Sequence, residues 1–455
     1  MNNRAEALSI FLDPWLTSKG DSLAAIVDYL MSTTAQHSKP RIRSERRDAT
    51  ERRHFLMGNI AANLAHLALS PSREAGQLLA IATAKTKPTR YGREGYPQGL
   101  LKGAVESLQA AGMLTVHPYV FKQRTTAVEP TPAFIDLLDR HGVRLRDIGR
   151  DAGGETIWLR ARQGDGENEW SRNGPLEKRL VAYEDTEETI KLRAEVERIT
   201  EVLDNAGIAF AGEPIGPLAL RRSFLLRSPH APRAFNLNGR IAGGFWQTLK
   251  ANKRHLITIG GHPETGLGGE DIADLDYVSM FAMLAYLKAT GSLPEGDPYA
   301  IPGLEGHRGG AKLALISLLS RSGDLKLLAP KLKAVLPQDW TARRLVEAMT
   351  AKHGPIAHLF GADVGIELMH TESRVLMAVL LELADKGIPA LPMHDGINVK
   401  ASDREAALET MQSVSAKLLG VALPVKEKPI VCLPVQHLGG EHARLQATGI
   451  NRQTR

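Results

Sequence analysis

At 455 residues, with 43% hydrophobic and 24% charged side chains, the chain has room for about two to four domains and an ordinary globular composition. No stretch approaches the roughly 20 apolar residues of a membrane helix, no secretory-signal pattern opens the chain, and the single Cys432 excludes an internal disulfide or a Cys-rich zinc site. A reducing cytoplasm and no membrane partner are therefore expected. The net charge of +6 is mild, but it is unevenly spread.

Residues 37–54 hold Lys39, Arg41, Arg43, Arg46, Arg47, Arg52 and Arg53, diluted by Glu45, Asp48 and Glu51. Two readings stay open for this arm: a solvated helix face with i,i+4 ion pairs, or a phosphate-binding segment. A helix is predicted over 51–70, from the spacing of Phe55, Leu56, Ile60, Leu64 and Leu67. Residues 78–86 fit either helix or strand. A Gly-containing basic loop follows, with Arg90 and Arg93, and Pro97 opens a helix with Leu100, Leu101, Val105 and Leu108 on one face and Gly112 beyond its end. Two β-rich runs, 114–121 and 125–128, flank a Lys122-Gln123-Arg124 tip, and a last helix covers 131–141.

This order of helices, basic-tipped hairpin and helix resembles a winged helix-turn-helix domain spanning 1–150. The resemblance implies that the helix after the loop enters the DNA major groove while the wing touches phosphates. Lys102 and Glu106 on that helix, with Arg90, Arg93, Lys122 and Arg124 around it, are its candidate contacts. A winged helix used for protein contacts is the rival reading, and the basic loop and tip favour DNA.

Residues 151–180, rich in Gly and charge, read as a linker with one docking strand near 156–162. An amphipathic helix is expected over 185–207. The segment 233–247 is polar, Gly-rich and aromatic, and carries Arg240; Arg254 precedes an apolar run at 256–259. Arginines in such a segment grip phosphates bidentately, although an ordinary surface hairpin has the same composition.

Two acidic positions carry the chemistry. Asp276 ends the strand-like Ile272-Ala273-Asp274-Leu275-Asp276-Tyr277, where alternation sets Ile272, Asp274 and Asp276 opposite Ala273, Leu275 and Tyr277. Asp395 lies in the turn His394-Asp395-Gly396 between two apolar runs. Between them, a helix near 307–320 places Arg308 and Lys312 one turn apart on one face. Ser402-x-x-Glu405 predicts a capping box for the helix that follows. Carboxylates that share divalent ions beneath a cationic helix are what phosphoryl transfer from a nucleotide requires. Asp274-x-Asp276 also fits haloacid-dehalogenase-type phosphatases, but no Gly-Asp-x-x-x-Asp follows downstream.

Taken in order, Leu275-Asp276-Tyr277, Arg308-x-x-x-Lys312 and Met393-His394-Asp395 resemble the palm and fingers motifs of family A DNA polymerases and the related single-subunit RNA polymerases, over roughly residues 215–437. The resemblance implies an α+β chain: a winged-helix domain followed, at 181–437, by a right-hand polymerase core with an antiparallel palm sheet, helical fingers and a reduced thumb, then a tail at 438–455. It implies that Asp276 and Asp395 bind Mg²⁺ (or Mn²⁺). Arg308 and Lys312 would hold a dNTP or NTP, with Lys312 protonating the leaving pyrophosphate and Tyr277 and Phe281 beside the nucleotide. Arg240 and Arg254 would contact a DNA template–primer, and His394 its terminus. Replication proteins are expected as further partners, and a plasmid, phage or mobile element as the setting. The pattern departs from the family at Gly396 and Phe281, where it usually has Glu, and at Ile316 and Ser320, where it has aromatic side chains. Two rivals are a primase or RNA polymerase on the same palm, and a replication initiator that only binds DNA.

Overall fold

The computed structural model describes residues 9–36, 47–70, 73, 76–82, 89–120, 125–162, 170–171, 174–175 and 178–430. Lys122, Arg124, the basic stretch 37–46, Cys432 and the tail at 438–455 lie outside them. The chain is a mixed α/β protein with one sheet curled into a half-barrel, and among the described residues no helix is long and apolar enough to cross a membrane.

Two apolar cores organise it. The first gathers helices Asp21–Gln36, Arg47–Leu69, Gln98–Ala110 and Pro132–Arg140 beside a four-stranded sheet. That sheet runs in the order Ser9–Phe11, Leu78–Ala80, Ala127–Pro130, Leu114–His117, its first pair parallel and the others antiparallel. Helix Gln98–Ala110 buries Leu101, Val105 and Leu108. Leu100 was expected on that face but is 43% exposed, because one residue of offset turns a helical side chain about 100° off the stripe. The Thr131 side chain accepts from Phe134 N and Pro132 stands at the first helical position, which together start the last helix.

The second core holds the rest, around two sheets. Strands Lys178–Leu180, Ile157–Arg162, Arg221–Leu226 and Asn238–Ala242 form one of them. Ile157–Arg162 is therefore an interior strand, parallel to Arg221–Leu226, and not part of a linker. Its alternating Ile157, Leu159 and Ala161 are fully buried, and the Gly-rich, charged composition flanks that apolar face without cancelling it. The other sheet is antiparallel and centred on Glu270–Tyr277, which pairs with Gly396–Lys400 on one side and with Ile257–Ile259 and Val425–Lys428 on the other. Helices Met280–Thr290, Gly365–Asp385 and Arg404–Leu419 contribute to the same core. Gly291 ends the first of them at φ 73°, a left-handed conformation that glycine adopts without strain.

The expected capping box at Ser402 does not form. Ser402 N donates to Glu270 Oε2 at 3.2 Å, and Glu405 pairs with Arg404. The short turn Ala401–Asp403 displaces the helix start to Arg404, out of Ser402's reach.

Candidate active site

Register brings the two acids together. Asp276 is the cross-strand partner of Gly396, so Asp395 lies beside the end of the central strand, and Tyr277 N donates to Asp395 O at 3.0 Å. The hairpin carrying Asp395 closes with Met393 N bonded to Gly396 O at 2.9 Å. Trp246 Nε1 and Gln247 Nε2 hold it from below, both donating to Pro392 O, at 2.9 and 3.1 Å. Gly396 has a steric reason: a Cβ there would overlap the Leu275 carbonyl oxygen and stand 3.0 Å from Asp276 Oδ1. No larger side chain fits while the two strands remain this close.

Asp276 is 7% exposed. Burial, and then the neighbouring Asp395 carboxylate, push its pKa up to about 6, against the pull of Lys428. Lys428 Nζ lies 2.7 Å from Asp276 Oδ2. Two acids crowded into low dielectric resist joint ionisation unless a cation is shared between them. Among the described residues no three His, Cys, Asp or Glu cluster as a metal cage. A pair of neighbouring carboxylates suits Mg²⁺, which takes one or two carboxylates and keeps its other positions for water and phosphate oxygens.

A third acid lies nearby. Glu372, on helix Gly365–Asp385, is 2% exposed and pairs with Arg240 Nε at 2.7 Å. Burial lifts its pKa to about 7; Arg240 draws it down, while Asp395 and Asp276 raise it further. His394 is pulled below its ordinary value by its surroundings and by Arg240, with Asp395 opposing. Arg240, Glu372, His394 and Asp395 are thus one electrostatic unit. Arg222 supports it from behind, with Nε 3.1 Å from Gly239 O and Nη2 3.3 Å from Ser373 Oγ.

Arg308 opens the helix Arg308–Leu319 and is gripped by both Asp297 oxygens, at 2.7 and 3.0 Å. Its guanidinium lies 4.9 Å from the Tyr299 ring centroid. Burial pushes Tyr299 up to about 12, and the charges of Arg308, Asp297 and Asp395 act on it more weakly. Lys312 is exposed one turn on.

Other candidates stand elsewhere. Tyr277 donates its hydroxyl to Met411 O at 2.6 Å in the core, because period-two alternation turns it away from Asp276. Phe281 is 7% exposed within the apolar core. The Tyr277 side chain thus points away from the acidic pair. Arg254 bonds Asp274 at 2.7 Å. Arg90 bonds Glu155 and Asp185 and stacks 3.7 Å from the Tyr183 centroid, while Arg93 bonds Asp151 and covers Trp15 and Phe55. Arg90 thereby ties the N-terminal region to the segments that flank the sheet of Ile157–Arg162. Lys102 and Glu106 pair at 3.8 Å on an exposed helix face.

No model of a known protein family matches this chain, and no curated protein matches it.

Sequence reasoning missed Glu372, Lys428 and Tyr299. A signal for Glu372 existed: it occupies an apolar stripe with Leu368, Val375 and Val379, where an acid needs a buried partner. Lys428 left none, since its pairing depends on a strand that returns from more than a hundred residues away.

Proposed function

We propose that this chain is a template-directed nucleotidyltransferase with a palm resembling that of family A polymerases, adding nucleotides to a primer 3′-hydroxyl. The single observation that carries the reading is the convergence of Asp276 and Asp395, distant in sequence, at adjoining strand ends. Bound Mg²⁺ would supply a lowered pKa for the attacking hydroxyl and neutralise the leaving pyrophosphate. Asp276 and Asp395 would hold it. Arg308 and Lys312 would orient the triphosphate, and Arg240, fixed by Glu372, would position the primer terminus together with His394.

The N-terminal region supports a winged helix used for DNA: its strands Leu78–Ala80, Ala127–Pro130 and Leu114–His117 pair in the order of a winged sheet behind the helix Gln98–Ala110. Lys102, on the exposed face of that helix, remains a candidate contact, whereas Arg90 and Arg93 do not. One observation favours a second reading. Lys428 neutralises Asp276 as a retired metal site would, which fits a DNA-binding initiator with a remnant palm.

Primer extension with dNTPs or NTPs, with and without primer, tests both. Metal-dependent incorporation that vanishes in Asp276→Asn and in Asp395→Asn supports the polymerase reading, and the preferred nucleotide and primer requirement separate DNA polymerase from primase. A wild-type chain that binds DNA yet incorporates neither nucleotide set overturns it.

A further inference from the structure

A cleft of about 1430 Å³ opens between the N-terminal core and the main body, and His394, beside Asp395, lines it. On one wall, strand Ile157–Arg162 turns Trp158 and Arg160 to the same face, and Arg221 comes from the neighbouring strand Arg221–Leu226. The Arg221 guanidinium lies 4.4 Å from the Trp158 ring centroid and that of Arg160 lies 5.2 Å away. The indole is held in place by Nε1 donating to Glu155 O at 2.8 Å.

What sets this cluster apart is the absence of a carboxylate on either guanidinium among the described residues. Other arginines of the same sheet have one: Arg162 bonds Asp363, Arg222 bonds Glu195, and Arg240 bonds Glu372. Asp13, the acid that acts on Arg221, is engaged by Arg150 Nε at 3.2 Å and by Trp15 N at 2.8 Å. Glu197 and Glu201, also in the cleft lining, bond neither arginine. Burial lowers both guanidinium pKa values, and Arg160 lowers Arg221 further. Two half-buried like charges held on one aromatic ring are costly in the free protein, and an anion from outside relieves them.

We infer that Trp158, Arg160 and Arg221 bind a single nucleic-acid strand that runs along this cleft to Asp395; its destination, though not the site itself, rests on the polymerase reading. The chemistry selects the ligand. Guanidinium planes braced on an indole offer bidentate phosphate contacts and flat surfaces for bases, the combination by which unpaired strands are held without sequence preference. An acidic peptide would use the charges but not the stacking surface.

The test is anisotropy of a short fluorescein-labelled oligo(dT) with the full chain in EDTA, so that binding is read without catalysis. Arg160→Gln/Arg221→Gln should weaken binding by about tenfold or more at about 100 mM salt and flatten the log–log salt slope by about 1.4. Its melting temperature should be unchanged or raised, since the pair repel. Arg160→Lys/Arg221→Lys keeps the charge and loses the planar groups, so its affinity should fall between the two. Unaltered affinity and slope in the Gln double variant would overturn the inference, as would polyglutamate binding equally well with the same dependence on both arginines. Arginine-dependent binding by a chain that never extends a primer removes the polymerase reading and keeps this site; extension with arginine-independent binding does the reverse.

Discussion

Two buried aspartates of the main body, Asp363 and Asp276, have nearly equal exposure, 6% and 7%, and opposite surroundings. Asp363 is clasped by Arg162, at 2.6 and 3.2 Å, and by Arg227, which also bonds its carbonyl oxygen at 3.1 Å. Asp276 has one half-buried lysine and, on its other side, a second carboxylate. The first acid has all the positive charge it needs from the protein. The second has too little, and its raised pKa registers that deficit. Burial alone does not leave an acid short of positive charge; burial beside a like charge does.

The contrast breaks most sharply at the acidic pair. Asp276→Asn or Asp395→Asn should lower primer extension by at least about 10³-fold while the melting temperature holds or rises, since a repulsive charge is removed. Equal activity in either variant would place the two aspartates on the same structural footing as Asp363. Asp363→Ala should do the converse. It strands a buried arginine and should cost about 3–5 kcal/mol of stability, read by urea denaturation, with extension per folded molecule retained.

Glu372 sharpens the comparison through pH. Its folded-state pKa, about 7, lies above the unfolded value, so the native chain keeps a proton that the unfolded chain has released. Its contribution is full below about pH 4.5 and is lost as pH rises through 7. In EDTA, Glu372→Gln should reduce the fall in stability between those limits by up to about 3 kcal/mol, as followed by melts across the range. A pH profile identical to that of the wild type would show that Arg240 fully compensates the buried charge. The smallest effect is expected at Lys428: removing this competing ammonium in Lys428→Met should lower the Mg²⁺ concentration for half-maximal extension by about two- to fivefold. A higher requirement would mean that Lys428 helps to assemble the site.

Local pattern was sufficient for much of this molecule. The alternation that put Asp274 and Asp276 on one face, the His394-Asp395 hairpin, the helix opening at Arg308, and the helix–hairpin–helix order of the N-terminal region are all short-range consequences of residue period and turn chemistry, and each is where the chain alone predicted it. What the chain alone did not decide is which charges meet. Arg90, Arg93 and Arg254 read as free phosphate ligands because a sequence shows a guanidinium but not its partner; folding supplied Glu155, Asp185, Asp151 and Asp274. The same long-range pairing put Lys428 on Asp276, drew Ile157–Arg162 into a sheet interior, and left Arg160 and Arg221 with no bonded carboxylate among the described residues. Periodicity acts over a few residues and is written in the chain, whereas electrostatic partnership depends on distances that exist only once strands far apart in sequence have been laid side by side.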